Sequence, residues 1–329
     1  MSPPEVRIGV IGFGTVGRSF IEAFTRRRGV LEQAARVRFI LAEIAVRDPR
    51  AKDFTIAGAR VHNDAVHLAS NPAIDLVIEV SGAAHAGSWI LAALERGAAV
   101  ATANKRALAS HPLLLEALAE RKPGLYCEAS VAAAVPIVRA LRDSLEGEEV
   151  RALRGVLNGT TTHVLSAIEH GASFVGALAD ARRLGICEGD AQLDLSGADA
   201  AHKLAILCTL AWSTPVSADH ISVEGIGLPI EKTVRRAAER NTRVRLVAAA
   251  TRRDGRITAS VTPATLSADD PLAAATGVAN VVEVETALAG TLRWTGPGAG
   301  GAATASALLA DTLTAARWLA PTRHQRVAA

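Results

Sequence analysis

The chain has 329 residues and a net charge of +3 at pH 7, a length that fits two domains better than one. Hydrophobic residues make up 49% of the sequence and aromatic residues only 3%, so the chain has ample core but few side chains on which nucleic-acid bases could stack. There is no long block of basic residues and no apolar run long enough to cross a membrane. We therefore expect no nucleic-acid partner and no membrane partner.

The cysteine pattern indicates a reducing compartment. Cys127, Cys187 and Cys208 are odd in number and widely spaced, and no two of them form a C-x-x-C pair. The N-terminus also lacks the basic and apolar segments of a secretion signal. These features predict reduced thiols in a cytoplasmic protein.

A glycine motif follows the first predicted strand. Val6–Ile11 is short and apolar, and a helical pattern runs from Val16 to about Arg27. Between a strand and a helix, glycines permit a tight turn, close approach of the backbone to a pyrophosphate, and close packing of the helix. The motif therefore predicts a dinucleotide site at Gly12, Phe13, Gly14, Thr15, Val16 and Gly17.

The second predicted strand, Phe39–Val46, ends where the adenine ribose of a dinucleotide would lie. An acid at this point favours NAD(H), whereas a base accommodates the 2′-phosphate of NADP(H). Arg47 is in the expected position, and we predict NADP(H). Asp48 would favour NAD(H) if the alignment moved by one residue, so NAD(H) stays an alternative.

Two further strands bring polar residues to the same edge of the predicted sheet. Ser81 follows Leu76–Val80, where a nicotinamide would pass, and Lys105 follows the strand Ala98–Thr102. Ligands of open α/β sheets bind beyond the carboxyl ends of the strands, although a solvated surface lysine is the simpler interpretation of Lys105. Alternating strands and helices predict an α/β domain with a Rossmann-type doubly wound parallel sheet.

A polar cluster begins a helix in the second half of the chain. The strand Val150–Leu157 leads into Asn158-Gly159-Thr160-Thr161-Thr162. Backbone amides and hydroxyls at a helix start suit an anionic group of a substrate. Helix capping alone would also explain one threonine.

The apolar helix that follows Gly197 carries an acid and a base. Asp199 and Lys203 are four residues apart and share one helix face. Such a pair stabilises a helix by about 0.2–0.5 kcal/mol, so a structural role is the simpler interpretation. A catalytic acid and base is the alternative.

Further strands predict a mixed sheet in the second half, which we expect to carry substrate residues on one face and a dimer contact on the other. Asp254-Gly255 is a strong hairpin signal. A glycine-rich run then precedes a last helix, about Ala303–Leu319. We expect a dinucleotide-binding domain at 1–135, an α+β substrate-binding and dimerisation domain at 136–300, and a C-terminal helix at 301–329 that returns to the first domain.

Motifs along nearly the whole chain, taken together, resemble the homoserine dehydrogenase family. In chain order they are G-F-G-T-V-G, T-A-N-K, L-N-G-T-T, E-x-D-x-x-x-D, D-A-A-H-K, V-E-G-I and G-x-G-A-G. The resemblance implies reversible reduction of aspartate 4-semialdehyde to homoserine with a nicotinamide cofactor, in a homodimer of threonine and methionine biosynthesis. It also implies that the chain ends before the regulatory domain of some relatives, so we expect no threonine feedback.

The resemblance also assigns roles to single residues. Lys203 looks like the proton donor and acceptor, with Asp199 orienting it or ordering water, and Lys105 resembles a second essential lysine. Glu188 resembles the carboxylate that holds the substrate amino group. The other implied contacts are Asp194 for the substrate, Gly300 for the cofactor, and backbone oxygens of Glu128, Val131, Ala133 and Val135 for a sodium ion. Donors are also needed for the substrate carboxylate, and we expect Thr161 to be one of them.

Three alanines depart from the family pattern. Ala132 and Ala134 stand where glycines are usual, and Ala191 stands where proline is common. If the backbone at the first two has a positive φ, alanine costs roughly 1 kcal/mol or moves the loop. Two alternatives therefore remain: a related dehydrogenase of another small amino or hydroxy acid, and a non-catalytic cofactor-binding paralogue.

Overall fold

A computed structural model describes residues 3–49, 58–187 and 191–327, with side chains to residue 320. The chain divides into two compact units, Met1–Ser130 together with Gly301–Ala329, and Val131–Gly300. Among the described residues, no helix has the length and hydropathy of a membrane span.

The first unit contains six parallel strands in the order β3-β2-β1-β4-β5-β6. This order places the switch point of the sheet between β1 and β4. The strands are β1 (Glu5–Ile11), β2 (Arg38–Ala45), β3 (Arg60–His62), β4 (Leu76–Glu79), β5 (Ala99–Thr102) and β6 (Leu125–Tyr126). The helices are α1 (Thr15–Ala35), α2 (Ala65–Ser70), α3 (Ala86–Glu95), α4 (Lys105–Ser110), α5 (Pro112–Ala119) and α12 (Gly301–Val327).

The core of the first unit joins its sheet to α1 and α12. Phe20 and Phe24 of α1 pack with Phe39 of β2, and Leu308 of α12 belongs to the same buried cluster. Helix α1 continues well beyond the predicted end near Arg27. Leu31 and Ala35 extend its buried face, and tertiary packing outweighs the low helix propensity of Gly29.

The second unit contains a mixed six-stranded sheet in the order β12-β11-β7-β9-β10-β8. All neighbouring strands are antiparallel except β10 and β8. The strands are β7 (Val150–Val156), β8 (Ser222–Val223), β9 (Thr242–Arg253), β10 (Arg256–Ser267), β11 (Ala279–Thr286) and β12 (Thr291–Pro297). The helices are α6 (Ile137–Arg139), which continues as a π-helical turn to Ser144, and α7 (Gly159–Glu169), α8 (Phe174–Arg183), α9 (Gln192–Leu195), α10 (Ala198–Trp212) and α11 (Ile230–Glu239).

These two sheets confirm the predicted fold class, a doubly wound parallel sheet and a second domain with a mixed sheet. The hairpin prediction is also confirmed. Asp254 and Gly255 join β9 to β10 with φ values of 50° and 77°, the left-handed pair that a two-residue hairpin loop needs.

Candidate active site

A cleft of about 950 Å³ opens in the first unit, at the carboxyl ends of β1, β2 and β4. Several predicted cofactor residues contribute to its wall. They are Gly12, Phe13, Gly14, Arg47 and Ser81, beside Asp48, His85 and Trp89. Thr15, Val16 and Gly17 form the first turn of α1 just behind them.

The backbone at Gly12 and Gly17 leaves no room for a side chain. Gly12 has a φ of 107°, and a Cβ there would lie 2.7 Å from the backbone nitrogen of Ser81. A Cβ on Gly17 would lie 2.4 Å from the carbonyl oxygen of Gly12. This close packing places the glycine turn directly before the start of a 21-residue helix, where backbone N–H groups and the helix dipole favour a pyrophosphate. The residues present fit a dinucleotide.

Lys105 is the first residue of α4 and is half-buried. Its neighbour Asn104 caps the helix, because the Asn104 side-chain oxygen accepts a hydrogen bond from the backbone nitrogen of Ala107 at 3.1 Å. The Asn104 side-chain nitrogen donates to the carbonyl oxygen of Ala83 at 2.9 Å. These contacts fix the start of α4 and, with it, the backbone position of Lys105.

In the second unit, Lys203 forms a buried ion pair with Asp199. Lys203 Nζ lies 2.8 Å from Asp199 Oδ2 and donates to the carbonyl oxygen of Leu157 at 2.6 Å. The two charged residues are only 8% and 9% exposed. Solvent screens a buried pair much less than a surface pair, so this contact is stronger than the helix-surface pair considered from the sequence.

Asn158 connects this pair to a second acid. Its side-chain nitrogen donates to Asp199 Oδ2 at 2.9 Å and to Asp194 Oδ1 at 2.7 Å. Thr160 donates to the other oxygen of Asp194 at 2.7 Å. We call Leu157, Asn158, Thr160, Asp194, Asp199 and Lys203 the acid–lysine cluster.

The sequence predicted two carboxylates and a lysine here but missed the residues that hold them. Asn158 and Thr160 were considered for anion binding or capping. Asn158 does cap α7, with its side-chain oxygen accepting from the backbone nitrogen of Thr161 at 2.8 Å. Its role as a donor to both acids depends on the packing of α7 beside α9 and α10, for which the sequence gives no local signal.

The charges of the acid–lysine cluster do not cancel. Asp199 pairs with the Lys203 ammonium, whereas Asp194 accepts from the neutral side chains of Asn158 and Thr160, so the formal charge of the cluster favours a further cation. Burial raises the pKa of the neighbouring Cys187 thiol, and the negative charge of Asp194 raises it further. Cys187 is therefore a neutral neighbour of the cluster and adds no charge.

The remaining predicted residues lie as follows. Thr161 is buried, and its hydroxyl donates to the carbonyl oxygen of Asn158 at 3.1 Å. Gly300 ends the second unit with a φ of 108°. Glu188 lies outside the described residues.

The loop proposed to hold sodium contains two strained alanines. Ala132 and Ala133 have φ values of 53° and 44°, whereas Ala134 does not have a positive φ. Val135 donates its backbone N–H to the carbonyl oxygen of Ala132 at 3.0 Å. Glu128 is buried in the first unit. The described part of the chain holds no group of three or more His, Cys, Asp or Glu side chains suited to a metal.

Comparison with known proteins matches both halves of the chain. Residues 12–128 match the family described as homoserine dehydrogenase, NAD binding domain, and residues 136–313 match homoserine dehydrogenase. A homoserine dehydrogenase of Corynebacterium glutamicum is 38% identical over 320 residues, which cover 95% of this chain and 72% of that protein.

Solved structures agree with the sequence comparison. A homoserine dehydrogenase from Thiobacillus denitrificans superposes with a TM-score of 0.87 at 30% identity, covering 98% of this chain and 75% of the other. A hyperthermophilic archaeal homoserine dehydrogenase mutant in complex with NADPH gives 0.78 at 28% identity, with 94% and 97% covered.

Proposed function

Because the chain belongs to the homoserine dehydrogenase family and is an NAD(P)-dependent oxidoreductase, we propose that Lys203 is the proton donor and acceptor of the reaction. The single observation that carries this proposal is the buried contact of Lys203 with Asp199 and the Leu157 carbonyl. These two acceptors occupy two of the three N–H bonds of the ammonium. Within the described residues, the third N–H is available to a substrate oxygen.

The enzyme interconverts L-homoserine and L-aspartate 4-semialdehyde. When bound, the nicotinamide dinucleotide supplies or accepts the hydride. During reduction, negative charge develops on the aldehyde oxygen, and the Lys203 ammonium stabilises that charge and transfers a proton to it. In the oxidation direction, neutral Lys203 removes the hydroxyl proton. Because oxidation of the hydroxyl releases a proton, we expect this direction to be favoured at alkaline pH.

We propose that the substrate ammonium binds beside the acid–lysine cluster, where negative charge is in excess. The carboxylates of Asp194 and Glu188 would contact this ammonium. Asp194 is held at both oxygens by Asn158 and Thr160, so it is fixed in place before any substrate arrives. We assign the substrate carboxylate to donors near the start of α7, including Thr161, and retain Lys105 as the second essential lysine.

For the cofactor we propose NADP(H), bound by Gly12, Phe13, Gly14, Thr15, Val16, Gly17, Ser81, Lys105 and Gly300. Arg47 lies exposed in the wall of the cleft, which supports a contact with the 2′-phosphate. Asp48 beside it is the residue that would support NAD(H). A mutant of a hyperthermophilic archaeal relative is in complex with NADPH, which supports binding of this dinucleotide.

A sodium ion held by backbone oxygens of Glu128, Val131, Ala133 and Val135 is also proposed. The left-handed bend at Ala132 and Ala133 supports it, because such a bend turns neighbouring carbonyl groups out of a regular hydrogen-bonding pattern. The ion would stabilise the loop rather than take part in proton transfer.

We further propose a cytoplasmic homodimer in which the first unit binds the dinucleotide and the second binds substrate and partner. The edge strand β12 supports a contact with a second copy, because Leu292 and Trp294 lie on one of its faces and remain partly exposed. Cys127, Cys187 and Cys208 are buried thiols that form no disulfide, which supports a reducing compartment. Sedimentation of the purified protein at twice its 34.1 kDa mass would support the dimer.

Replacement of Lys203 tests the proton-transfer proposal. Lys203→Met should lower kcat by about 10²–10⁴-fold, the usual contribution of a general acid and base, while NADPH binding is retained. Lys232→Met changes an exposed lysine of α11 and should leave both unchanged. A wild-type kcat in Lys203→Met would contradict the proposal. If Lys203→Met neither folds nor binds NADPH, Lys203 has a structural role instead.

A further inference from the structure

Glu79 is a fully buried carboxylate at the end of β4, with 0% of its surface exposed. Burial raises the pKa of Glu79, and hydrogen bonds from Ser81, Thr102 and Asn104 oppose this rise. An apolar side chain would fill the same space without the cost of desolvating an acid. The polar contacts of Glu79 therefore require an explanation.

One oxygen of Glu79 holds Ser81. The Ser81 backbone nitrogen donates to Glu79 Oε1 at 2.9 Å, and the Ser81 hydroxyl donates to the same oxygen at 2.6 Å. Ser81 lines the dinucleotide cleft, and its backbone lies against Gly12. This oxygen of Glu79 thus fixes part of the cleft wall.

The other oxygen of Glu79 holds the end of β5. The Thr102 hydroxyl donates to Glu79 Oε2 at 2.8 Å and accepts from the backbone nitrogen of Asn104 at 3.0 Å. Asn104 caps α4, whose first residue is Lys105. This oxygen therefore determines, through two hydrogen bonds, where the helix with Lys105 begins.

Two more hydrogen bonds close these contacts into a ring. The Ala83 backbone nitrogen donates to the Ser81 hydroxyl at 3.1 Å, and the Asn104 side chain donates to the Ala83 carbonyl oxygen at 2.9 Å. The ring Glu79–Ser81–Ala83–Asn104–Thr102 joins the tips of β4 and β5. The hydroxyls of Ser81 and Thr102 each donate one hydrogen bond and accept another. A change at Glu79 therefore affects both sides of the ring, which we call the Ser81 arm and the Thr102 arm.

We propose that Glu79 is a positioning residue that holds Ser81 in the dinucleotide cleft and, through Thr102 and Asn104, sets the position of Lys105. This inference rests on the proposed function, in which Lys105 acts in the reaction. Glu79 itself contacts neither substrate nor cofactor.

Glu79→Gln separates the two arms of the ring. The glutamine oxygen is still able to accept both hydrogen bonds from Ser81, whose backbone N–H excludes the amide nitrogen from that side. The amide nitrogen must then face Thr102 and donate to its hydroxyl. The Thr102 proton loses its acceptor, so the Thr102 arm is disturbed and the Ser81 arm is kept.

The test measures kcat, the NADPH dissociation constant and the melting temperature. Glu79→Gln should lower kcat by about 10–100-fold, as small misplacement of a catalytic group does, with NADPH affinity within about 3-fold of wild type because the Ser81 arm is retained. Thr102→Val removes the hydroxyl of the Thr102 arm and should lower kcat by the same factor. The matched control is Glu43→Gln, a second buried acid of this sheet that accepts from Asn71. Glu43→Gln should change the melting temperature and leave kcat and the NADPH dissociation constant unchanged.

A double-mutant cycle with Lys105→Ala identifies the route of the effect. If Glu79 acts through Lys105, adding Glu79→Gln to the Lys105→Ala protein should lower kcat no further. Full additivity, or an unchanged kcat in a folded Glu79→Gln enzyme, would overturn the Lys105 arm of the proposal.

A binding measurement decides the Ser81 arm without any turnover. Glu79→Leu removes both arms and should weaken NADPH binding, followed by nicotinamide fluorescence, by about 10-fold. Wild-type affinity in the folded variant would overturn this arm, and Ser81→Ala gives the same test if Glu79→Leu does not fold. A wild-type protein that binds NADPH but does not oxidise homoserine would count against the proposed function and not against this arm.

Discussion

The Asn158 side-chain nitrogen lies 2.9 Å from Asp199 Oδ2, so the residue that caps α7 also holds the acid that pairs with Lys203. One amide thereby connects the start of α7 to the helix face of α10 that carries Asp199 and Lys203. Charge-assisted hydrogen bonds of this kind fix the orientation of a carboxylate. The position of Lys203 therefore depends on a residue that need not touch the substrate.

Asn158→Ser tests this dependence. Serine retains a capping oxygen but has no amide to donate to both Asp194 and Asp199, so we expect kcat to fall by about 10–100-fold. Loss of the hydrogen bond to the buried Asp199 should also cost about 1–3 kcal/mol of stability. Ser173→Ala is the control, because Ser173 caps α8 by accepting from Gly176 at 3.1 Å and contacts no residue of the acid–lysine cluster. It should lower the melting temperature and leave kcat unchanged, and a normal kcat in Asn158→Ser would contradict the account.

Gly12 in the dinucleotide turn and Gly29 in the second half of α1 should respond to alanine with opposite signs. Gly12→Ala forces a Cβ to within 2.7 Å of the Ser81 backbone and should lower the free energy of unfolding by about 1–3 kcal/mol and weaken NADPH binding. Gly29 lies inside α1 with open space around it, so Gly29→Ala should raise the free energy of unfolding by about 0.5–1 kcal/mol. Chemical denaturation measures both, and equal effects would argue against the tight turn.

The strained alanines of the proposed sodium loop give a third comparison. Ala132 has a φ of 53°, whereas the φ of Ala134 is not positive. Left-handed backbone is costly for alanine and not for glycine. The Ala132→Gly protein should therefore be more stable than the Ala134→Gly protein by about 1 kcal/mol. The two unfolding curves decide this, and equal stability would mean that Ala132 is not strained.

Glu79 predicts a pH dependence of stability. Its pKa is raised above the ordinary 4.5 by burial, so the folded protein holds this proton more tightly than the unfolded chain. The resulting stabilisation is present below the unfolded pKa and is lost as pH rises through the folded pKa. Wild-type unfolding free energy should therefore fall relative to that of Glu79→Gln as pH increases from about 4 towards neutrality. A parallel pH dependence of the two proteins would show that Glu79 is not perturbed.

The sequence predicted features that depend on neighbours along the chain. The glycine turn after β1, the hairpin at Asp254-Gly255 and the four-residue spacing of Asp199 and Lys203 are all local patterns. The contacts of Asn158 and Glu79 join segments far apart in sequence, and only packing brings them together. The roles of all the individual site residues, those of Lys203, Lys105, Glu188 and Thr161 included, stay predictions.

The most direct test is reduction of NADP⁺ and of NAD⁺ by the purified protein with L-homoserine at about pH 9, where release of the proton of the reaction is favoured. We expect homoserine-dependent formation of NADPH that exceeds that of NADH and decreases towards neutral pH. No homoserine-dependent reduction of either dinucleotide, by a folded protein that binds NADPH, would contradict the central claim that this chain catalyses the reaction of its family.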